Sequence, residues 1–170
     1  MDKFLDTLKL VEDFAAENTV AIYCPVAGVE LNFKPLTVQH TKEMLRSQID
    51  TSGDVVATGV GLANTYNNIV IENCIEGKDV ANSLSIIDKE CILFGLRYAT
   101  DTKYKVEDKE VNLNVINQNI KALKPSKKII SGSQTLKFKT GNIVINTTLP
   151  TVGKDTVYNR AVLRKAKDKK

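Results

Sequence analysis

SIIDKECILFGLRYATD, residues 85–101, is the stretch that decides how this chain folds. Ile87, Cys91, Phe94 and Tyr98 recur at three- and four-residue spacing and form one stripe, which Ile86, Leu93 and Leu96 widen around most of the circumference. A helix with so little polar surface belongs at the centre of a core. Arg97 sits inside this pattern, and a guanidinium in such surroundings must find a carboxylate or carbonyls, so a structural ion pair is expected there. Asp88 and Glu90 are its nearest acids in sequence, without being clearly in reach.

Upstream, TVAIYCPV and GVELNFKPL are short β-prone runs separated by Pro25, Ala27 and Gly28, the pattern of a hairpin. Val29, Leu31 and Phe33 alternate with Glu30, Asn32 and Lys34, so one face is buried and the other is wet. Pro35 ends the strand, and Thr37 is placed to cap a helix that starts at Val38 or Gln39 and carries Met44, Leu45 and Ile49. His40, the one histidine, falls in that first turn and has no partner for metal binding or catalysis, which leaves a helix-end role. After Ser52-Gly53, Asp54 can cap a long helix to Cys74, with Val56, Val60, Ala63, Asn67, Val70 and Cys74 as its packing seam. GVGLAN, residues 59–64, resembles a dinucleotide-binding turn only superficially, because it follows no strand, lacks the third glycine and lies inside this helix.

Downstream of Asp101, a polar extended or hairpin-like stretch leads to a short helical piece ending near Leu123 and then to the basic linker KPSKK. Alternating Leu136, Phe138, Ile143 and Ile145 around Gly141-Asn142 predict a second hairpin. Asp155 can start a last helix that carries Val157, Tyr158, Ala161 and Val162 and runs into a basic tail. At the other terminus, Phe4, Leu5, Leu8, Val11 and Phe14 form one face of an amphipathic helix ending near Asn18, with a mostly acidic polar face. That helix either packs on its own domain or docks as an arm into a neighbouring subunit. The organisation expected is an α+β fold: an N-terminal arm over 1–18, a core of a hairpin and three helices over 19–123, and a basic C-terminal hairpin, terminal helix and tail over 124–170.

The 170 residues are 42% hydrophobic, enough for one sizeable core. No apolar run is long enough for a membrane span, and the acids among the first residues do not suit a signal peptide, so a cytosolic site of synthesis is expected. Cys24, Cys74 and Cys91 are an odd set in apolar contexts, which predicts buried thiols rather than disulfides or a zinc site. The net charge of +4 conceals an asymmetry: residues 121–170 hold 13 Lys+Arg against 2 Asp+Glu, while residues 1–120 hold 11 against 18. Such a basic third could meet phosphates, an acidic protein surface or its own acidic neighbour. Nucleic acid is the weaker expectation, since the basic segments lack interleaved aromatic residues and the helix-turn-helix or zinc signatures of specific readers. Nucleophile–base pairs, metal clusters and phosphate cradles are all missing as motifs, so neither an enzyme nor a cofactor is expected.

Three segments in order, GVELNFKPLTVQHTKEMLRS, the helix ending in IENCIEGKDVANSL, and IIDKECILFGLRYATD, resemble the baseplate hub subunit and tail-assembly chaperone family of T-even-type contractile-tailed bacteriophages. The similarity rests on Pro35, Leu36, Thr37 and Val38 at the turn, Cys74 at the helix end, and Asp88, Glu90, Phe94, Leu96 and Arg97 in the last helix. It covers roughly residues 20–102, with a weaker echo in NIVINTTLPTVGKDTVYN. Lys34 stands where an arginine is usual, Ala99-Thr100 where a serine-containing turn is usual, and no cysteine follows Cys91. The resemblance implies a component of the tail baseplate, made in the host cytoplasm and present in several copies of a symmetric assembly. It would act without a cofactor by contacts with the hub, the tube initiator or the tape-measure protein. An assembly chaperone that binds hub or tape-measure protein and then leaves is the alternative. In either role the partner contacts are expected on Phe4, Leu8 and Val11 of the arm and on Arg160, Arg164 and Lys165 of the tail.

Overall fold

The computed structural model describes residues 18–50, 54–107, 109–125 and 130–167. The amphipathic arm, with Phe4, Leu8 and Val11, lies outside the described residues. The fold is α+β, with six helices and three separate two-stranded antiparallel hairpins among the described residues. β1 (Val20–Cys24) pairs with β2 (Val29–Phe33) in the register Ile22↔Leu31 and Cys24↔Val29. The alternation places Ile22, Cys24, Leu31 and Phe33 on the buried face, whereas Val29, expected with them, is exposed at the turn end of β2.

Helices α1 (Val38–Asp50), α2 (Val55–Asn73), α3 (Lys78–Ser83) and α4 (Ile86–Thr100) follow. Asp54 caps α2, its carboxylate accepting from the Ala57 N–H at 2.9 Å. At the other end of α2 the chain joins the first hairpin: Phe33 and Cys74 form an antiparallel bridge, Lys34 N–H donates to Asn73 O, and Ile75 N–H donates to Asn32 O. Glu76 closes this junction by accepting from the Asn32 backbone N–H at 2.9 Å and from its side-chain amide at 3.2 Å. Partial burial alone would raise the Glu76 carboxyl, but these bonds outweigh it and hold the group below its ordinary value.

α4 lies against β1. Gly95 makes the close approach possible, because a Cβ there would come within 2.9 Å of the Ile22 side chain. The buried side of α4 is rotated from the expected stripe: Asp88, Cys91, Ile92, Gly95 and Leu96 face inward, while Ile87, Phe94 and Tyr98 are half-buried. Phe94 stacks instead on Tyr98, with centroids 6.3 Å apart. Beyond α4, β3 (Lys103–Val106) and β4 (Lys109–Asn112) form a short hairpin, and α5 (Leu113–Ala122) returns toward α4.

The last third contains β5 (Ser131–Phe138), β6 (Gly141–Thr148) and α6 (Val152–Lys167). α6 starts three residues before Asp155 and is built into the core rather than running out as a tail. Val152 is fully buried, Thr156 and Asn159 nearly so, and the helix packs along α2. Its joint with α2 is polar: the Asp155 carboxylate accepts from Asn67 Nδ2 at 2.8 Å and from Asn159 Nδ2 at 3.0 Å. Asn67 is fully buried, so this network fixes which faces of the two helices meet. The seam expected along the N-terminal half of α2 is different in the structure, since Val56 is exposed and the buried set runs through Ala57, Gly61, Asn67, Ile69, Val70 and Asn73.

Candidate protein-interaction surface

β5 and β6 are eight residues each and pair along their full length, Leu136 facing Ile143 and Gln134 facing Ile145. The reversal is not at Gly141-Asn142 as expected but at Lys139-Thr140, with Phe138 paired to Gly141. Gly141 has φ +151, a conformation that L side chains rarely adopt, so the glycine serves the exit from the turn rather than its centre. Cross-strand partners share a face. One face therefore carries Leu136, Phe138, Ile143 and Ile145, and the other carries Ser133, Thr135, Lys137, Asn142, Val144 and Asn146.

Every residue of both strands is exposed, Phe138 to 55% and Ile143 to 54%. Neither strand makes more than marginal contact with another described element. The alternation that predicted a buried face is present, but no described part of the chain covers it. An isolated two-stranded ribbon is marginal in water, and its outer edges offer unpaired backbone groups. Among the described residues the hairpin is held at its root, where Leu149 N–H donates to Ile130 O, Ile86 N–H to Pro150 O, and Val152 N–H to Leu84 O. A second group of exposed apolar residues, Val38, Leu45, Ile49, Val55 and Val56, lies on α1 and the start of α2.

The residues singled out in the sequence do not converge on one site. Pro35 and Thr37 form the entry to α1, where Thr37 Oγ1 accepts from His40 N–H at 3.4 Å and His40 Nδ1 accepts from Thr37 N–H at 3.1 Å, a reciprocal cap. Asp88 is nearly fully buried and closes the equivalent box at α4. Its Oδ2 accepts from Ser85 Oγ at 2.8 Å and Ser85 N–H at 3.3 Å, while its Oδ1 accepts from Val26 N–H at 2.8 Å. Glu90 is exposed and pairs with Lys89 at 3.3 Å. Arg97 forms the expected ion pair, with Asp101 rather than with Asp88 or Glu90. The guanidinium is 41% exposed and meets Asp101 one turn on at 3.6 Å, because its long side chain leaves the apolar side of the helix for solvent. A pair of this kind contributes about 0.3–0.5 kcal/mol. Arg160, Arg164 and Lys165 are exposed along α6, and Arg160 donates to Asn68 Oδ1 at 3.3 Å.

All three cysteines are free and buried. Burial, reinforced by the nearby Asp88 carboxylate, pushes the Cys24 thiol up to about 12 and the Cys91 thiol to about 11. Thiols so placed stay neutral and unreactive. The folded protein holds the Cys24 proton more tightly than the unfolded chain, whose thiol titrates near 9.0. The resulting stabilisation is complete below pH 9 and is lost as pH rises from there toward about 12. Urea denaturation of the wild type and Cys24→Ala at pH 8 and pH 10.5 is expected to show the steeper alkaline loss in the wild type. Equal losses would mean that Cys24 titrates as it does in the unfolded chain. Among the described residues no group of three or more His, Cys, Asp or Glu is placed to hold a metal ion, and no helix is long and apolar enough to cross a membrane.

Comparison of the chain with protein-family models, with curated proteins and with solved structures finds no match in any of the three.

Proposed function

We propose that this protein acts by protein–protein contact, as a structural component of a contractile-tail baseplate, with the β5–β6 hairpin as its docking element. The observation that carries the reading is the hairpin itself: eight-residue strands, an apolar stripe of Leu136, Phe138, Ile143 and Ile145, and no described element against it. Such a ribbon gains stability by being covered, and a subunit that becomes part of an assembly is covered permanently. The baseplate assignment is supported by the resemblance over residues 20–102. Its residues Thr37, Cys74 and Asp88 each hold a junction of the fold, at the cap of α1, the bridge to β2 and the box at α4.

The test is mass spectrometry of purified mature particles and assembly intermediates from cells making either the wild type or Leu136→Asp/Ile143→Asp. The wild-type chain is expected in mature particles at a fixed multiple compatible with rotational symmetry, and the double variant is expected to fold but to be missing from them. Presence in intermediates alone would replace this reading with the departing chaperone, and absence from both would overturn the tail assignment.

A further inference from the structure

We infer that the hollow at the root of the β5–β6 hairpin is a recognition pocket for one primary ammonium group, such as the tip of a lysine side chain from a partner protein. The inference goes beyond the docking role of the hairpin and does not depend on what covers its apolar face.

The hollow measures about 350 Å³, near the low end of the range typical of ligand sites, so it has room for one side chain rather than a cofactor. Three parts of the fold line it. The β1–β2 turn contributes Val26, the approach to α4 contributes Ser85 and Asp88, and the hairpin root contributes Ser131, Thr148 and Thr151. Leu84 and Leu149 add apolar wall of the kind that a hydrocarbon stem packs against while its charged tip goes elsewhere.

Asp88 gives the hollow its charge. The residue is 1% exposed, and an acid so deeply buried ordinarily has a cation beside it. Among the described residues none pairs with Asp88: the adjacent Lys89 is paired to Glu90, and no Lys, Arg or His lines the hollow. The hydrogen bonds from Ser85 and Val26 hold the carboxylate in place but bring no positive charge. They number three, against the about four acceptor positions that a carboxylate offers, and Oδ1 takes only the one from Val26. A buried charge acts on the hollow through protein rather than water, with little screening. Ser131 and Thr148, cross-strand partners at the hairpin root, add hydroxyl acceptors for the remaining N–H groups of an ammonium. Both Asp88 oxygens already accept, so the paired fork that a guanidinium seeks is not on offer, and a compact ammonium suits the site better. Other hollows lack this balance. The one between β1, α4 and α5 has Lys121 and no acid, and the one between α2, α3 and α6 has Lys78 and Arg160 beside Glu72.

Nuclear magnetic resonance titration of the full-length, 15N-labelled chain at pH 7 tests this with four probes: Nα-acetyl-lysine amide, Nα-acetyl-norleucine amide, Nα-acetyl-arginine amide and n-butylammonium chloride. The lysine probe is expected to give saturable shifts at the amides of Ser85, Thr148 and Thr151, and to bind at least about tenfold more tightly than norleucine, which has the same stem without the charge. Thr148→Lys, a change at an exposed strand position that brings a cation to the mouth of the hollow, is expected to abolish those shifts. Butylammonium binding alongside the lysine probe would support recognition of the ammonium itself. Butylammonium binding alone would keep the ammonium site but make its ligand a free amine rather than a protein side chain. Equal binding of norleucine, tighter binding of arginine, or no saturable shift with either amine would each overturn the inference. The comparison of probes on the wild type decides it even if the variant fails to fold.

Discussion

Asp88→Ala is expected to destabilise the protein by about 3 kcal/mol, the larger effect of two changes at the same helix start. The carboxylate is nearly fully buried and accepts three hydrogen bonds, two from Ser85 and one from the Val26 N–H across the fold. Hydrogen bonds to a charged acceptor contribute about 1.5–3 kcal/mol each, and their loss is less than additive when one group serves them all. Alanine removes the reciprocal cap of α4 and strands the Val26 N–H, which is the tie between the β1–β2 turn and the central helix. Ser85→Ala removes only the cap oxygen and is expected to cost about 1 kcal/mol. Urea denaturation of both variants at pH 7 separates the contributions. If Asp88→Ala lost no more than Ser85→Ala, the long-range bond to Val26 would contribute nothing.

Ending the chain at Pro150 is expected to abolish cooperative folding. The truncation removes Val152 from the core, takes Thr156 and Asn159 from the face of α2, and leaves the buried Asn67 without the Asp155 carboxylate. Burial of one large aliphatic side chain contributes about 1.5–3 kcal/mol, and a buried amide left without its partner costs about 1–3 kcal/mol. Loss of the rest of the contact that α6 makes along α2 adds to this, and the total approaches about 5–15 kcal/mol, the range that typically holds a domain together. Calorimetry should find no sharp transition in the shortened chain. A normal transition would mean that α6 is an appendage, as the basic composition of residues 124–170 suggests from sequence alone.

That composition shows where sequence reading succeeds and fails in this protein. The β1–β2 hairpin was legible because the Val29, Leu31, Phe33 alternation is strict and Gly28 supplies the positive φ at its turn. α4 was legible as a core helix, but its orientation was not. With apolar residues nearly all round, the periodicity could not show that Gly95 is the point of closest approach and Asp88 an inward-facing acid. The signal for Asp88 was present in the Ser85-x-x-Asp88 spacing of a capping box. α3 was missed because six residues with few apolar positions carry no period. α6 was legible as a helix but not in the side it buries: Val157 and Tyr158, expected on its packing face, are exposed, and its buried positions include Thr156 and Asn159, polar residues that satisfy partners within the fold and leave no hydropathy signal. The hairpin was the reverse case: the strands were legible from their alternation, but no described element covers the apolar face that the alternation made.

The root of that hairpin has a mechanical consequence. Pro150 and Val152 are bonded by backbone groups to Ile86 and Leu84, on the segment that opens α4, and Ser85 bridges Thr151 between them. Tension applied to the tip at Lys139-Thr140 therefore reaches the middle of the core directly. Two backbone hydrogen bonds, of 3.1 and 2.8 Å, meet the pull before α6 can be peeled from α2. A pull on the tip of the hairpin would therefore be felt at the central helix before it loosened α6 from α2.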